Sequence, residues 1–111
     1  MLKKDAFGAA KRDLGIPKGQ QPDAVKSVAL EDKWGKKILD SNGKVVNTRE
    51  YHFTRSDGSK VVIQEHSAGH KFGQGGVGDQ GPHYNVRPYD TKSGNAARNG
   101  AVDGTKDHYS Y

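Results

Sequence analysis

The segment that decides the fold runs over residues 65–87, EHSAGHKFGQGGVGDQGPHYNVR, and it ends in five residues whose polar and apolar side chains alternate. Successive side chains of a β-strand point to opposite faces of the sheet. The alternation therefore predicts a strand that turns His83, Asn85 and Arg87 to one face and packs the two residues between them into the core. A proton-transfer group, an amide and a permanent cation on one face are typical of a site that acts on phosphate esters.

Six glycines lie between His66 and His83, which predicts an active-site loop at residues 67–82 beside this strand. The backbone N–H groups of such a loop can form a nest that binds phosphate, or the glycines can simply permit tight turns. The second use is favoured, because the glycine spacing fits neither a P-loop nor a dinucleotide fingerprint. His70 and Lys71, within the loop, are candidates for substrate contact.

Apolar residues recur at helical spacing near the start of the chain, at Phe7, Ala10 and Leu14. A glycine and a proline come within the next three residues and end the pattern. The sequence therefore predicts one N-terminal helix within residues 1–16.

Residues 17–35 begin with a polar stretch that contains two prolines, and the whole segment is predicted to connect the helix to the first strand. It ends near Trp34, the one tryptophan of the chain. An indole buries a large apolar area, so we expect Trp34 to lie in the core.

From residue 36 onward the pattern changes to period two, with turn signals between short apolar runs. Asn42-Gly43 predicts a hairpin, since this dipeptide favours the left-handed turn that joins twisted strands. His52 lies between two aromatic residues and is predicted to have a packing role. The later elements are predicted as strands at residues 61–63, 83–87 and 107–111 and one helical turn at residues 95–98. The fold class predicted is α+β, with the N-terminal helix packed on a four- to five-stranded antiparallel sheet.

The composition limits the class of protein. The 111 residues are 32% hydrophobic, which suits a single domain, 1–111, with a modest core. Eighteen Lys and Arg against thirteen Asp and Glu give a net charge of +5, which favours nucleic acid or another acidic partner. The absence of cysteine excludes disulfides, thiolate metal sites and a cysteine nucleophile. No apolar run is long enough to cross a bilayer, so no membrane association is predicted.

The end of the chain repeats the alternation of residues 83–87, because His108 and Ser110 share one face of the last predicted strand. If both strands lie in one sheet with their tyrosines toward the core, these side chains project beside His83 and Arg87. Metal-independent RNA cleavage needs a base for the 2′-hydroxyl, an acid for the leaving oxygen and a cation for the phosphate. Two imidazoles and a guanidinium are sufficient for that chemistry.

The residues therefore favour a nuclease that cleaves RNA without a cofactor. The predicted catalytic residues are His83, His108, Arg87 and His66, and the predicted substrate-binding residues are Asn85, His70, Lys71 and Ser110. Each histidine taken alone is more typical of a solvated sheet surface, but the face that they share with an arginine favours a site.

Two alternatives remain open. A metal-dependent DNase would bind a divalent metal ion with His66, His70, His83 and Asn85. A non-catalytic nucleic-acid-binding module would need exposed aromatic residues between lysines and arginines, and the basic residues here are dispersed.

Three runs of sequence carry a resemblance that covers nearly the whole chain. They are AKRDLGIPKGQQP at residues 10–22, REYHFTRSDGSKVVIQEHSAGHKFGQGGVGDQGPHYNVRP at residues 49–88, and GTKDHY at residues 104–109. Together they resemble the C-terminal nuclease toxin modules of bacterial polymorphic toxins of the LXG, Rhs-repeat and contact-dependent inhibition types. The HSAGH and GPHYNVRP runs are the specific part of the match.

The resemblance implies an antibacterial nuclease that is secreted as the C-terminal part of a larger effector and acts in the cytoplasm of a target bacterium. It implies a nucleic acid substrate and a cognate immunity protein, for which charge complementarity predicts an acidic surface. The module would be a monomer or a heterodimer with that immunity protein. Such modules have either the barnase/EndoU/colicin/RelE ribonuclease fold or an HNH/endonuclease VII-like fold. The ending DHY resembles the catalytic-histidine strand of barnase-like ribonucleases, which favours a ribonuclease-like fold with that role for His108.

Overall fold

The computed structural model describes residues 2–32, 34–66, 81–97 and 100–111, and within them it has one helix and six strands. In chain order these are α1 (Lys3–Asp13), β1 (Ala24–Ala29), β2 (Asn47–Thr54), β3 (Lys60–His66), β4 (His83–Asp90), β5 (Asn95–Ala96) and β6 (Tyr109–Ser110). β1, β2, β3 and β4 are sequential antiparallel neighbours, while β5 and β6 pair with opposite ends of β4. The predicted α+β class, a helix on an antiparallel sheet, is confirmed.

α1 packs on one face of the sheet through small apolar residues. Ala6, Ala9 and Ala10 are buried at the contact, and they lie in one cluster with Phe53 of β2 and Ile63 of β3. Alanine side chains let a helix approach a sheet closely, so the larger sheet residues fill the space beneath it. This apolar layer is the core of the described part of the chain.

A buried lysine ties α1 to the segment that comes after it. Lys11 Nζ donates hydrogen bonds to the backbone carbonyls of Lys18 at 2.9 Å and Gln20 at 2.8 Å, and it lies over the Phe53 ring. Burial lowers the pKa of the Lys11 ammonium. The chain reverses after the helix at Gly15, whose φ of 74° is readily adopted only by glycine.

The last strand is held to the same helix. The Tyr109 hydroxyl donates to Asp13 Oδ2 at 2.6 Å and accepts from the Lys106 backbone N–H at 3.0 Å. β6 pairs with β4 through Tyr109 opposite Tyr84, and both rings are buried on the α1 side. The start of β4 and the end of the chain are thereby fixed relative to each other.

The connecting segment predicted at residues 17–35 contains a strand, β1, which corrects that prediction. Ala24 pairs with His52 and Ala29 pairs with Asn47 across the edge of the sheet. Main-chain hydrogen bonds hold an edge strand whatever its side chains are, so a strand such as β1, which has no fully buried residue, lacks the alternation that marks a half-buried strand.

Trp34 does not lie in the core, as the sequence predicted, but is 74% exposed. It sits in a tight turn whose shape is set by Asp32, since Asp32 Oδ1 accepts the backbone N–H groups of Trp34 and Lys36, both at 2.9 Å. The turn holds the indole outside the layer that the aromatic residues of β2 and β4 already fill.

The hairpin turn predicted at Asn42-Gly43 is present and repeats the turn at Asp32. Asp40 Oδ1 accepts from the Asn42 and Lys44 backbone N–H groups at 2.8 and 3.0 Å, and Gly43 has a φ of 78°.

The helical turn predicted at residues 95–98 is wrong for its first two residues, which form β5. They pair with the end of β4, where the edge of the sheet offers unpaired main-chain groups.

Candidate active site

The face of the sheet opposite α1 carries the predicted catalytic side chains. Because His83, Asn85 and Arg87 alternate along β4 with buried core residues, they lie on this face, and His66 pairs directly with His83 across β3 and β4. Gln64 is the cross-strand partner of Asn85. The parity predicted from the sequence is confirmed.

This face is not a solvated surface. His83 and Asn85 are each 1% exposed and His66 is 5% exposed. The β5 segment covers part of the face, because the backbone N–H of Ala96 donates to Glu50 Oε1, on β2, at 3.1 Å. The site is therefore a buried polar layer, in which each polar group needs a hydrogen-bond partner.

Three imidazoles lie side by side in this layer, and we call His66, His83 and His108 the histidine cluster. The ring centroids of His66 and His83 are 5.0 Å apart, and those of His83 and His108 are 4.6 Å apart with the rings nearly perpendicular. The chain before β6 brings in His108 from 25 residues further along the sequence than His83.

Each imidazole of the histidine cluster has one ring nitrogen bonded to an oxygen acceptor. His83 Nδ1 contacts the Gly81 carbonyl at 2.6 Å, His108 Nδ1 contacts Asn85 Oδ1 at 2.8 Å, and His66 Nε2 contacts Gln64 Oε1 at 3.3 Å. Carbonyl and carboxamide oxygens only accept, so the bonded nitrogen carries the hydrogen. The other nitrogen of each neutral ring then has the lone pair that can take a proton or a metal ion.

Electrostatics favour a neutral His83. Burial lowers the pKa of this imidazole, the Gly81 hydrogen bond opposes that effect, and electrostatic interactions with His108 and Arg87 lower the pKa further. Burial also lowers the pKa of Arg87 while Asp107 raises it, but a guanidinium remains charged at neutral pH. The layer thus sets a neutral imidazole beside a permanent cation.

The other predicted site residues divide into two groups. Ser110 lies opposite His83 in the register of β4 and β6, and it is exposed. His70 and Lys71, with most of the predicted active-site loop, fall outside the described residues.

Sequence reasoning missed Glu50 and assigned no role to Gln64. Glu50 is 1% exposed, and its carboxylate accepts from Gln64 Nε2 at 2.9 Å and from His52 Nε2 at 3.1 Å. The signal was present, because Glu50 and His52 alternate along β2 with the core-side residues Tyr51 and Phe53 and must face the other side of the sheet. His52 is buried in this contact, as its predicted packing role requires.

The donors suit a divalent metal ion in kind, since imidazole nitrogen binds Zn²⁺, Fe²⁺ and Ni²⁺. Among the described residues no three histidine or carboxylate side chains are arranged to hold an ion by themselves. Water and phosphate oxygens can serve as further ligands of an ion bound here. Glu65 is not a donor to this site, because it lies on the α1 face and accepts from the Tyr51 hydroxyl at 3.1 Å.

Comparison with known proteins identifies a family that the chain matches. A family model described as HNH/Endo VII superfamily nuclease toxins matches residues 37–111, about two thirds of the chain. The matched region contains the whole histidine cluster and leaves out α1 and β1. No curated protein and no solved structure matches the chain. In the described part of the chain, no helix has both the length and the apolar character that a membrane span requires.

Proposed function

This chain belongs to the HNH/Endo VII superfamily nuclease toxins, and on that premise we propose that the histidine cluster is the catalytic centre of a nuclease that cleaves DNA with the help of a divalent metal ion. Membership of the family makes the chain a nuclease toxin module whose substrate is nucleic acid. The family supports the HNH/endonuclease VII alternative better than the ribonuclease-like fold that the DHY ending favoured.

The observation that carries the proposal is the hydrogen bonding of the three imidazoles. Histidines that bind metal ions usually donate their second ring N–H to an oxygen acceptor, which orients the ring and fixes its tautomer. His66 and His83 have this arrangement on adjacent strands and would hold the ion. When bound, the ion would supply positive charge to the phosphate and lower the pKa of a bound water.

The remaining residues have roles that agree with their chemistry. His108, oriented by Asn85, is placed to exchange a proton with a water or a leaving oxygen. Arg87 lies on the same face, half-buried, where a guanidinium can stabilise the charge of a phosphate. The net charge of +5 favours association with the DNA backbone.

A second candidate is the metal-independent cleavage of RNA, and the 4.6 Å separation of the His83 and His108 rings supports it. In that mechanism His83, whose pKa is lowered, takes the proton of the 2′-hydroxyl, and His108 protonates the leaving oxygen. This reaction has no use for a metal ion and cannot act on DNA.

One experiment separates the two candidates. Purified protein is incubated with plasmid DNA, with RNA and with RNA that has a 2′-deoxy substitution at the cleaved nucleotide, each after exhaustive EDTA treatment and after addition of Mg²⁺, Mn²⁺ or Zn²⁺. We expect EDTA to stop cleavage of DNA and a metal ion to restore it. Cleavage of RNA alone, unaffected by EDTA and blocked by the 2′-deoxy substitution, would establish the second candidate instead.

We also propose that the module reaches its target as the C-terminal part of a larger effector, acts in the cytoplasm of the target bacterium and is inhibited by an acidic immunity protein. The net charge of +5 supports an acidic partner. Salt should then slow association of the two proteins more than it speeds their dissociation, as stopped-flow mixing can measure. An association rate that does not depend on salt would contradict the acidic partner.

A further inference from the structure

Glu50 is a buried carboxylate that the proposed chemistry does not use. It lies in the middle of β2, 1% exposed, and is the cross-strand partner of Gln64 on β3. Its two oxygens accept three hydrogen bonds, from His52 Nε2, from Gln64 Nε2 and from the backbone N–H of Ala96. Removing a carboxylate from water costs free energy that its hydrogen bonds only offset, so the position of Glu50 needs an explanation.

The contact with Glu50 determines which way the Gln64 carboxamide points. A carboxylate can only accept hydrogen bonds, so the end of Gln64 that faces Glu50 is its NH₂ group, at 2.9 Å. The carboxamide oxygen therefore faces His66, whose Nε2 is 3.3 Å away. The reverse orientation would place an oxygen against the carboxylate and is excluded by repulsion.

The orientation of Gln64 in turn determines the tautomer of His66. Because the carboxamide oxygen is an acceptor, His66 Nε2 must carry the hydrogen, and Nδ1 is the basic nitrogen of the neutral ring. We propose that Glu50 is a positioning residue that fixes the His66 tautomer through Gln64. Glu50 makes its contacts with Gln64, His52 and Ala96, one side chain removed from the histidine cluster, and the inference rests on the proposed role of His66.

The test reads the tautomer directly. The full chain, labelled with ¹⁵N and kept free of metal by EDTA, is studied by long-range ¹H–¹⁵N correlation NMR, which distinguishes protonated from unprotonated ring nitrogens. We expect wild-type His66 to be entirely in the Nε2–H form. In Glu50→Gln the residue at position 50 can face Gln64 with either end of its amide, so Gln64 can flip and His66 should become a mixture of tautomers.

The matched control is His52→Gln, a change to the same residue type in the same buried contact. It keeps the Glu50 carboxylate, so the His66 tautomer should remain that of the wild type. Gln64→Met removes the acceptor but keeps the length of the side chain, so the hydrogen bond to His66 Nε2 is lost and His66 should become a mixture of tautomers. This variant replaces Glu50→Gln in the test if Glu50→Gln does not fold. A wild-type His66 in the Nδ1–H form, or a pure Nε2–H form in a folded Glu50→Gln or, if that variant does not fold, in Gln64→Met, would overturn the proposal.

Activity gives an independent measure. Loss of a group that orients a metal-binding or proton-transferring histidine typically costs about 10- to 100-fold, so kcat of Glu50→Gln should fall by that factor while KM stays unchanged. If the tautomer shifts as expected but the wild type cleaves no nucleic acid, Glu50 is still the positioning residue and the proposed function is what fails. If His52→Gln changed the His66 tautomer and kcat as much as Glu50→Gln does, the effect would come from general disturbance of the buried layer and not from the Glu50 carboxylate. That result would contradict the proposal.

Discussion

On the α1 side of the sheet, β2 and β3 bury Phe53 and Ile63, while on the other side the same two strands bury Glu50 and His66. The apolar side chains are stabilised simply by removal from water, and many arrangements of them would serve. The polar side chains are tolerated only where each donor meets an acceptor, which few arrangements allow. Apolar burial on the α1 face therefore stabilises the fold. It offsets the free-energy cost of holding buried polar groups in one geometry on the opposite face.

The largest expected effect is on stability and comes from the α1 face. Phe53→Ala should lower the free energy of unfolding by about 3–5 kcal/mol, because a buried ring is replaced by a cavity. Urea denaturation measures the loss. Val25→Ala is the matched control, since Val25 pairs with Tyr51 on the same face but is 51% exposed and should change stability little. A loss below about 1 kcal/mol in Phe53→Ala would show that this face is not the stabilising one.

The next effect is on catalysis and comes from the opposite face. His83→Gln should reduce cleavage by about 100- to 1000-fold, because proton transfer or metal binding at this position is lost. Glutamine is preferred to alanine, since it leaves a smaller cavity at a residue that is 1% exposed and can still donate to the Gly81 carbonyl. Cleavage rates are compared with thermal melts. A variant that melts like the wild type and retains its activity would remove His83 from the mechanism.

The wild type and His83→Gln also allow a test of the His83 environment, through the pH dependence of their free energies of unfolding. Burial lowers the pKa of His83 in the native state, so the unfolded chain, with a pKa near 6.5, binds more protons as the solution becomes acidic. Stability should therefore fall as pH decreases through 6.5, until the native imidazole also becomes protonated. His83→Gln should lack this part of the dependence. Parallel stability curves for the two proteins between neutral and mildly acidic pH would contradict a lowered pKa.

Arg87→Lys should have a smaller effect on the same face. A guanidinium can contact two phosphate oxygens in a fixed fork, and an ammonium cannot, so we expect about a tenfold loss of kcat/KM. The lysine keeps the charge, which separates local geometry from long-range attraction. Full activity in the variant would mean that Arg87 contributes only charge.

The parity of β4 could be predicted from the sequence because a period of two is a local property. His83 and Asn85 alternate with core residues in five consecutive positions, and no knowledge of the rest of the chain is needed. The partners of Glu50 could not be predicted in this way. They depend on the register between β2 and β3 and on the path of β5, which are set by contacts far apart in sequence.

β1 and Trp34 show two further limits of prediction from the sequence. β1 is held at the sheet edge by main-chain hydrogen bonds, which leave no mark on its side chains. The exposure of Trp34 results from the turn that Asp32 holds and from a core already filled by other aromatic residues, and neither is visible in the tryptophan itself. The expectation that a lone tryptophan is buried rests on the size of the indole alone, and it takes account of neither the turn nor the filled core.

The smallest expected effect therefore tests a residue that lies on neither buried face. Because Trp34 is 74% exposed, Trp34→Ala should change the free energy of unfolding by no more than about 0.5 kcal/mol, although it removes the largest side chain in the protein. Urea denaturation of this variant beside Phe53→Ala compares two aromatic truncations that differ in burial. The Asp32 turn should survive, because its hydrogen bonds are made by the Trp34 backbone and not by the indole. A loss comparable to that of Phe53→Ala would place Trp34 in the core after all and would mean that the two faces of the sheet do not account for the stability of the fold.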